Sequence, residues 1–202
     1  MSALTVSGRA FSRAWRNALD IADEGSSRRY ADVVHIEVHK GLGMRLVSTD
    51  LYSLLTQWVS SVYADGSGEG DPGFGAVPDW TTSIVDRDGL GRRFKRHSEL
   101  TLSFAADGLT IGPVATSVCL PTAAFRCPDW RKLFPAPDAE HSDCPVWLNP
   151  RLLRRICDLR APGPIEFGRP GPGVVGPLGP IEFRYGDMRG LVMPHSPPKE
   201  TA

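Results

Sequence analysis

The residues with chemistry to offer are four cysteines, five histidines and the acids around them. Cys119, Cys127, Cys144 and Cys157 lie 8, 17 and 13 residues apart, which is neither a CxxC pair nor a zinc-finger pattern. His141 sits three residues before Cys144, and a zinc site there would need Cys127 to join them in space. Free thiols in a reducing compartment are the simpler reading. His35 and His39 are four apart on an alternating segment, so they share one side at a distance and read as solvent-facing polar residues. Neither these nor His97 and His141 have an evident nucleophile partner, and GxSxG, HExxH and P-loop patterns are missing. Gly171, Gly173 and Gly176 spell GxGxxG, but Pro170, Pro172, Pro177 and Pro180 surround them and no helix follows. The expectation is therefore no catalytic residue, no metal and no cofactor. The protein reads as something other than an enzyme.

Its 202 residues can bury a real core, and 41% hydrophobic and 23% charged residues are ordinary for a globular protein. Net charge is zero, so bulk attraction to nucleic acid or membrane is not available. There is no run of 18 apolar residues, and the N-terminus reaches Arg9 without an apolar signal region. A cytoplasmic protein with no membrane partner is expected.

The elements that must position any site are legible from periodicity. Leu4–Val6 reads as a strand, and Ser7 then caps a helix over 8–23 with Phe11, Ala14, Trp15, Ala18, Leu19 and Ala22 on one face. Residues 33–39 alternate as a half-buried strand, Gly41 and Gly43 turn into a strand over 44–49, and an apolar run covers 51–63. Glycines and acids make 64–75 a loop. Asp86 is the expected cap of a second helix to about residue 97, followed by strands at 99–105, 108–111 and 114–120. A Pro- and acid-rich linker covers about 135–144. Asn149 caps a third helix with Pro150 at its first position, and Leu152, Leu153, Ile156 and Leu159 form its apolar stripe. Gly-Pro-Ile-Glu-Phe occurs at 163–167 and again at 179–183, which suggests two strands joined by a Gly/Pro loop. A last strand is expected at 189–193, then a disordered tail over 195–202.

The three predicted helices hold eleven of the 23 Lys and Arg residues and five of the 23 acids, so they carry +6 against −6 elsewhere. Solvated helix faces are the bland explanation of such runs. Three basic helices of three also suit a phosphate backbone, while no motif for reading base sequence is present.

Three segments, taken in order, carry a resemblance. Met-Arg-Leu-Val-Ser-Thr-Asp-Leu at 44–51, Cys-Pro-Asp-Trp-Arg-Lys-Leu-Phe-Pro at 127–135 and Gly-Leu-Val-Met-Pro at 190–194 resemble the bacterial DNA sliding clamp, the beta subunit of DNA polymerase III. Leu-Asn-Pro-Arg-Leu-Leu at 148–153 is similar to a helix start of the same family. The resemblance implies an α+β fold of β-α-β-β-β repeats with helices on one face of antiparallel sheets. Residues 1–135 would be one complete clamp-like domain, 136–144 a linker and 145–194 a partial domain, against three full domains in the family.

By the same resemblance, duplex DNA would be contacted without sequence preference through Arg9, Arg13, Arg16, Arg92, Arg93, Arg96, Arg151, Arg154 and Arg155. A hydrophobic pocket for the clamp-binding peptides of a polymerase or repair protein would use Thr49, Leu54, Pro128, Lys132, Leu133, Leu191 and Met193. Leu51, Tyr52 and Ser53 stand where the family has Gly-His-Arg, a departure that implies a different peptide preference. The implied role is a homo-oligomeric processivity factor. The alternative is a clamp-derived module that never encircles DNA and instead binds clamp-binding peptides or the host clamp.

Overall fold

The computed structural model describes residues 2–22, 33–63, 71–84, 94, 96–105, 108–112, 118–121, 129–134, 146–170 and 179–195. Strand β1 (Ser2–Ser7) runs directly into helix α1 (Gly8–Ile21). Ser7 stays extended at the junction and its hydroxyl accepts the Ala10 N–H at 3.4 Å, satisfying one of the helix's orphan donors. Only glycine fits at position 8, because a Cβ there would collide with the His97 carbonyl oxygen. A meander follows: β2 (Val34–His39), β3 (Gly43–Thr49) and β4 (Ser53–Ser60), all antiparallel. Next come β5 (Trp80–Ile84), β6 (Glu99–Ala105), β7 (Gly108–Ile111) and β8 (Val118–Pro121). A 3-10 turn at Trp130–Leu133 precedes helix α2 (Pro150–Cys157) and strands β9 (Ile165–Pro170), β10 (Ile181–Tyr185) and β11 (Met188–Val192).

The strands form two antiparallel sheets, in the orders β1-β6-β7-β8 and β5-β2-β3-β4-β11-β10-β9. The second sheet is continuous across the chain because β11 pairs with β4 from Met188↔Gln57 to Val192↔Ser53. Apolar residues of α1, among them Phe11, Trp15 and Ala18, pack between Val34, Ile36, Met44 and Leu46 of one sheet and Leu100, Leu102 and Ile111 of the other. Burying a side chain of this size stabilises the fold by about 1.5–3 kcal/mol. A second cluster joins Ile21 of α1 to Ile156 and Leu159, at and just beyond α2, over Leu55, Phe183 and Val192. The fold is thus α+β, with α1 and α2 on one face of the long sheet.

Three expectations are revised and one strand is added. Strand β5 is unanticipated, since Trp-Thr-Thr-Ser-Ile shows no apolar alternation; Thr82 and Ser83 are nonetheless buried beside β2. Strand β2 is buried on both faces, so His35, Glu37 and His39 do not face solvent. The apolar run at 51–63 is a strand only from Ser53, because Asp50 folds the chain back. Its Oδ1 accepts the N–H groups of Tyr52 (3.0 Å) and Ser53 (2.6 Å), and Leu51 takes φ 79°. His195 is no free tail, since its N–H donates to the Trp147 carbonyl at 2.6 Å. The predicted helix at 86–97 lies outside the described residues except for Phe94, which is buried, and positions 96–97. The linker at 135–144 and the tail beyond 195 lie outside them too.

Candidate nucleic-acid interface and peptide-docking surface

Because α1 buries one stripe, its arginines collect on the opposite side. Arg9, Arg13 and Arg16 line a concavity of about 370 Å³ together with Ser7, Ala10, Ser12 and Arg160. Arg160 was not anticipated, since it lies beyond α2 and only the fold carries it to α1. Two acids counter this group: Asp187 accepts from Arg13 at 2.8 Å and Asp20 accepts from Arg160 at 2.6 Å. These pairs are substantially exposed, a setting in which an ion pair is worth about 0–1 kcal/mol, so an incoming phosphate can compete for the guanidinium groups.

On α2, Arg151 is exposed and Arg154 reaches Asp158 at 3.8 Å with its side chain 85% exposed. Arg155 differs, although the sequence groups it with its neighbours. Its guanidinium donates to the Asp20, Ile21 and Ala22 carbonyls at the end of α1, at 2.9 to 3.4 Å, and to the buried Asp50 carboxylate at 2.5 Å. It satisfies orphan carbonyls and places positive charge at the negative end of the helix dipole. Arg155→Leu should therefore cost about 2–4 kcal/mol in stability. Thermal melts beside DNA titrations check this: a variant with unchanged Tm and weakened DNA binding would return Arg155 to the phosphate-contacting set. Arg96 is exposed, and Arg92 and Arg93 lie outside the described residues.

The residues of the expected peptide pocket divide by layer. Leu54 and Leu191 are directly opposite each other on β4 and β11 and are buried with Val47 and Trp130, with Phe74 and Phe134 packed against them. Leu133 is 52% exposed and Met193 41% exposed, and Lys132 is free in solvent apart from Asp129 at 3.1 Å. Thr49 has a turn role, donating to the Ser53 carbonyl at 2.7 Å and accepting the Leu51 N–H at 3.0 Å. Pro128 lies outside the described residues. Tyr52, 63% exposed, joins this surface through its carbonyl, which accepts the Met193 N–H at 2.7 Å.

A polar cluster on the same face fixes the Trp130 turn, and sequence reading missed it. Glu37 is 2% exposed and takes two hydrogen bonds from Arg131, both 2.6 Å, and one from the Trp130 indole at 2.9 Å. Burial pushes the Glu37 carboxyl up, but the bonds from Arg131 and Trp130 and the Arg131 charge outweigh it, leaving its pKa below the usual value. Burial lowers the pKa of His35 and of His39, and nearby Arg131 and Arg45 respectively act in the same direction. Arg45 is buried, paired with Asp71, and lies 4.7 Å from the Phe74 ring centroid and 5.6 Å from that of Trp130. Arg189 also lies over the Phe74 ring, 3.9 Å from its centroid.

Among the described residues, no group of three His, Cys, Asp or Glu is placed to hold a metal ion, and no helix is long and apolar enough to cross a membrane. Cys119 and Cys157 are free and exposed; Cys127, Cys144 and His141 lie outside the described residues, as does the Gly171–Gly176 motif.

Neither a family model nor a curated protein sequence matches the chain. Solved structures do. The DNA polymerase sliding clamp of Pseudomonas aeruginosa superposes with a TM-score of 0.72 at 10% identity, covering 97% of this chain and 66% of that one. The pol III beta of Caulobacter crescentus gives 0.71 at 14% identity, with 98% and 66% covered. The DNA polymerase III beta chain of Streptococcus pneumoniae gives 0.73 at 11% identity, with 98% and 65% covered. At such identities the likeness establishes the fold: the chain has a shortened form of the sliding-clamp fold, spanning about two thirds of the length of these structures.

Proposed function

We propose that this chain is a clamp-like processivity factor. It contacts the phosphate backbone of duplex DNA through the α1 arginines and Arg160, with Arg151, Arg154 and Arg96 as further cations. It tethers a polymerase or repair protein through the surface over Leu54 and Leu191. The observation that carries the reading is the arginine-lined concavity on α1, in a fold otherwise seen in sliding clamps. Residues 1–135 then act as one complete clamp domain and 145–194 as half of another. The role is non-catalytic, the protein works in the cytoplasm, and the working form is a homo-oligomer.

The deciding experiment is retention on nicked circular DNA and release upon linearisation. A protein that stays on circles and slides off linear ends acts as a clamp; one that binds neither form overturns the reading. Coverage of about two thirds of the sliding-clamp structures is equally compatible with a second reading, in which the protein binds clamp-binding peptides as an adaptor or decoy and encircles nothing.

Both readings use the proposed peptide surface, to which the exposed Leu133 and Met193 and the buried cluster of Leu54, Leu191 and Trp130 would contribute. Leu133→Asp with Met193→Asp should weaken capture of a clamp-binding peptide at least tenfold, with Tm changed little because both side chains already face solvent. Fluorescence anisotropy with a labelled peptide measures this, and unchanged affinity would move the docking site elsewhere.

A further inference from the structure

The described strands fall in chain order into three groups, β1–β4, β5–β8 and β9–β11, three units of which the first two exchange strands. Strand β1 leads α1, yet it pairs with β6 of the second unit; β5 leads the second unit, yet it pairs with β2 of the first. In both cases the end of the leading strand lies opposite the start of the receiving one: Ser7 with Glu99, and Ile84 with Val34. The third unit has a leading segment at residues 146–148, then α2, then β9, β10 and β11. Its receiving strand, β9, ends the seven-stranded sheet with no strand beyond it among the described residues.

The leading segment is already placed as β1 is. Val6 bridges Ser61 just after β4, the last strand of its own unit, and the Val62 N–H donates to the Thr5 carbonyl at 3.0 Å. Trp147 likewise bridges His195 just after β11, and the His195 N–H donates to the Trp147 carbonyl at 2.6 Å. From this position β1 goes on to pair along β6 for six residues. The Trp147 segment has no such partner strand among the described residues. Val146, Trp147 and, on β9, Phe167 are exposed by 37%, 40% and 41%, so three large apolar side chains mark the unused donor and the unused acceptor.

We infer that β9 receives the 146–148 segment of a second copy of this chain, and gives its own in return. Donor and acceptor sit on the same chain and each is open, so one two-fold contact closes both at once. Antiparallel strand addition satisfies the edge N–H and C=O groups. The register of the first unit, with the N-cap residue opposite the first residue of the receiving strand, sets Asn149 against Ile165. Trp147 then lies opposite Phe167 of the second copy, a cross-strand aromatic pair. The two third units together make one complete clamp-like domain. This contact rests on the strand exchange within the fold and holds whether or not the chain binds DNA.

The test is molar mass by sedimentation equilibrium of the full chain from about 1 to 100 µM, where a dimer of the 22.0 kDa chain is expected. Trp147→Lys alone and Phe167→Glu alone should each weaken dimerisation at least tenfold. Mixed together they should form a one-to-one heterodimer, because one strand pair then joins Lys with Glu and the other is native. A monomer throughout the range overturns the proposal, as does a dimer that both substitutions leave unchanged, which would put the contact at another edge or on another partner. If either variant fails to fold, amide hydrogen exchange of the unaltered chain decides. Protection at residues 165–169 should rise with concentration, and concentration-independent exchange there refutes the contact.

Discussion

Replacing Arg9, Arg13 and Arg16 together by glutamine will lower affinity for a short linear duplex by roughly 100-fold at about 0.1 M salt. The magnitude follows from counterion release: each neutralised phosphate contributes a slope of about −0.9, or about eightfold in affinity at that salt concentration. Three independent contacts would give several hundredfold. The net is smaller because Arg13 must first leave Asp187. The salt dependence should flatten by about two to three units of slope, and the loss should be uniform across DNA sequences, since backbone contacts carry no base information. Glutamine keeps the aliphatic stems that cover α1, so Tm should hold. Binding that survives with its slope intact would show that the α1 face is a solvated helix surface and no more.

The largest stability effect belongs to Glu37. Glu37→Ala removes a carboxylate that is 2% exposed and leaves the Arg131 guanidinium and the Trp130 indole N–H without their acceptor. Breaking a buried pair from one side typically costs about 3–5 kcal/mol. The lower end is expected here because the Arg131 side chain is 27% exposed and can partly rehydrate. In a chain of this length that corresponds to a fall in Tm of roughly 6–15 °C. Peptide capture should fail as well, since the Trp130 turn carries Lys132 and Leu133. A variant melting within a degree or two of the parent would show that the cluster contributes no net stability.

The same cluster sets the response to acid. The folded-state pKa of Glu37 is lowered, so its stabilisation is full above the unfolded value of about 4.3 and is lost as pH falls through the folded value. His35 and His39 are also lowered by burial, so the folded state prefers them neutral. Their contribution is full above about pH 6.5 and declines as pH falls below it. Stability should therefore begin to fall just below neutrality.

Local signals carried much of the fold. The Ser7 cap, the apolar stripe of α1, the Asn149–Pro150 start of α2 and the repeated Gly-Pro-Ile-Glu-Phe segments are statements about neighbours in sequence, and neighbours set them. What stayed hidden was made by distant chain. The alternation of β2 reads as half-exposed because the cover over Glu37 comes from Trp130 and Arg131. Strand β5 has polar residues and is a strand because β2 offers it an edge. Arg155 looks like Arg154 in sequence, and only the end of α1 beside it gives it a different task. The cationic group could be listed residue by residue, but which arginines share a groove depends on how α1 packs on the sheet.

The seam between β4 and β11 also constrains how the molecule is made. A separation of 137 positions lies between Leu54 and its partner Leu191, a loop whose closure entropy must be met before the pairing returns anything. During synthesis β4 emerges well before β11, and its outer edge stays open until β11 leaves the ribosome. A nascent or C-terminally clipped chain thus presents Ser53 to Gln57 along an unpaired edge, an invitation to aggregation that β11 closes in the folded protein.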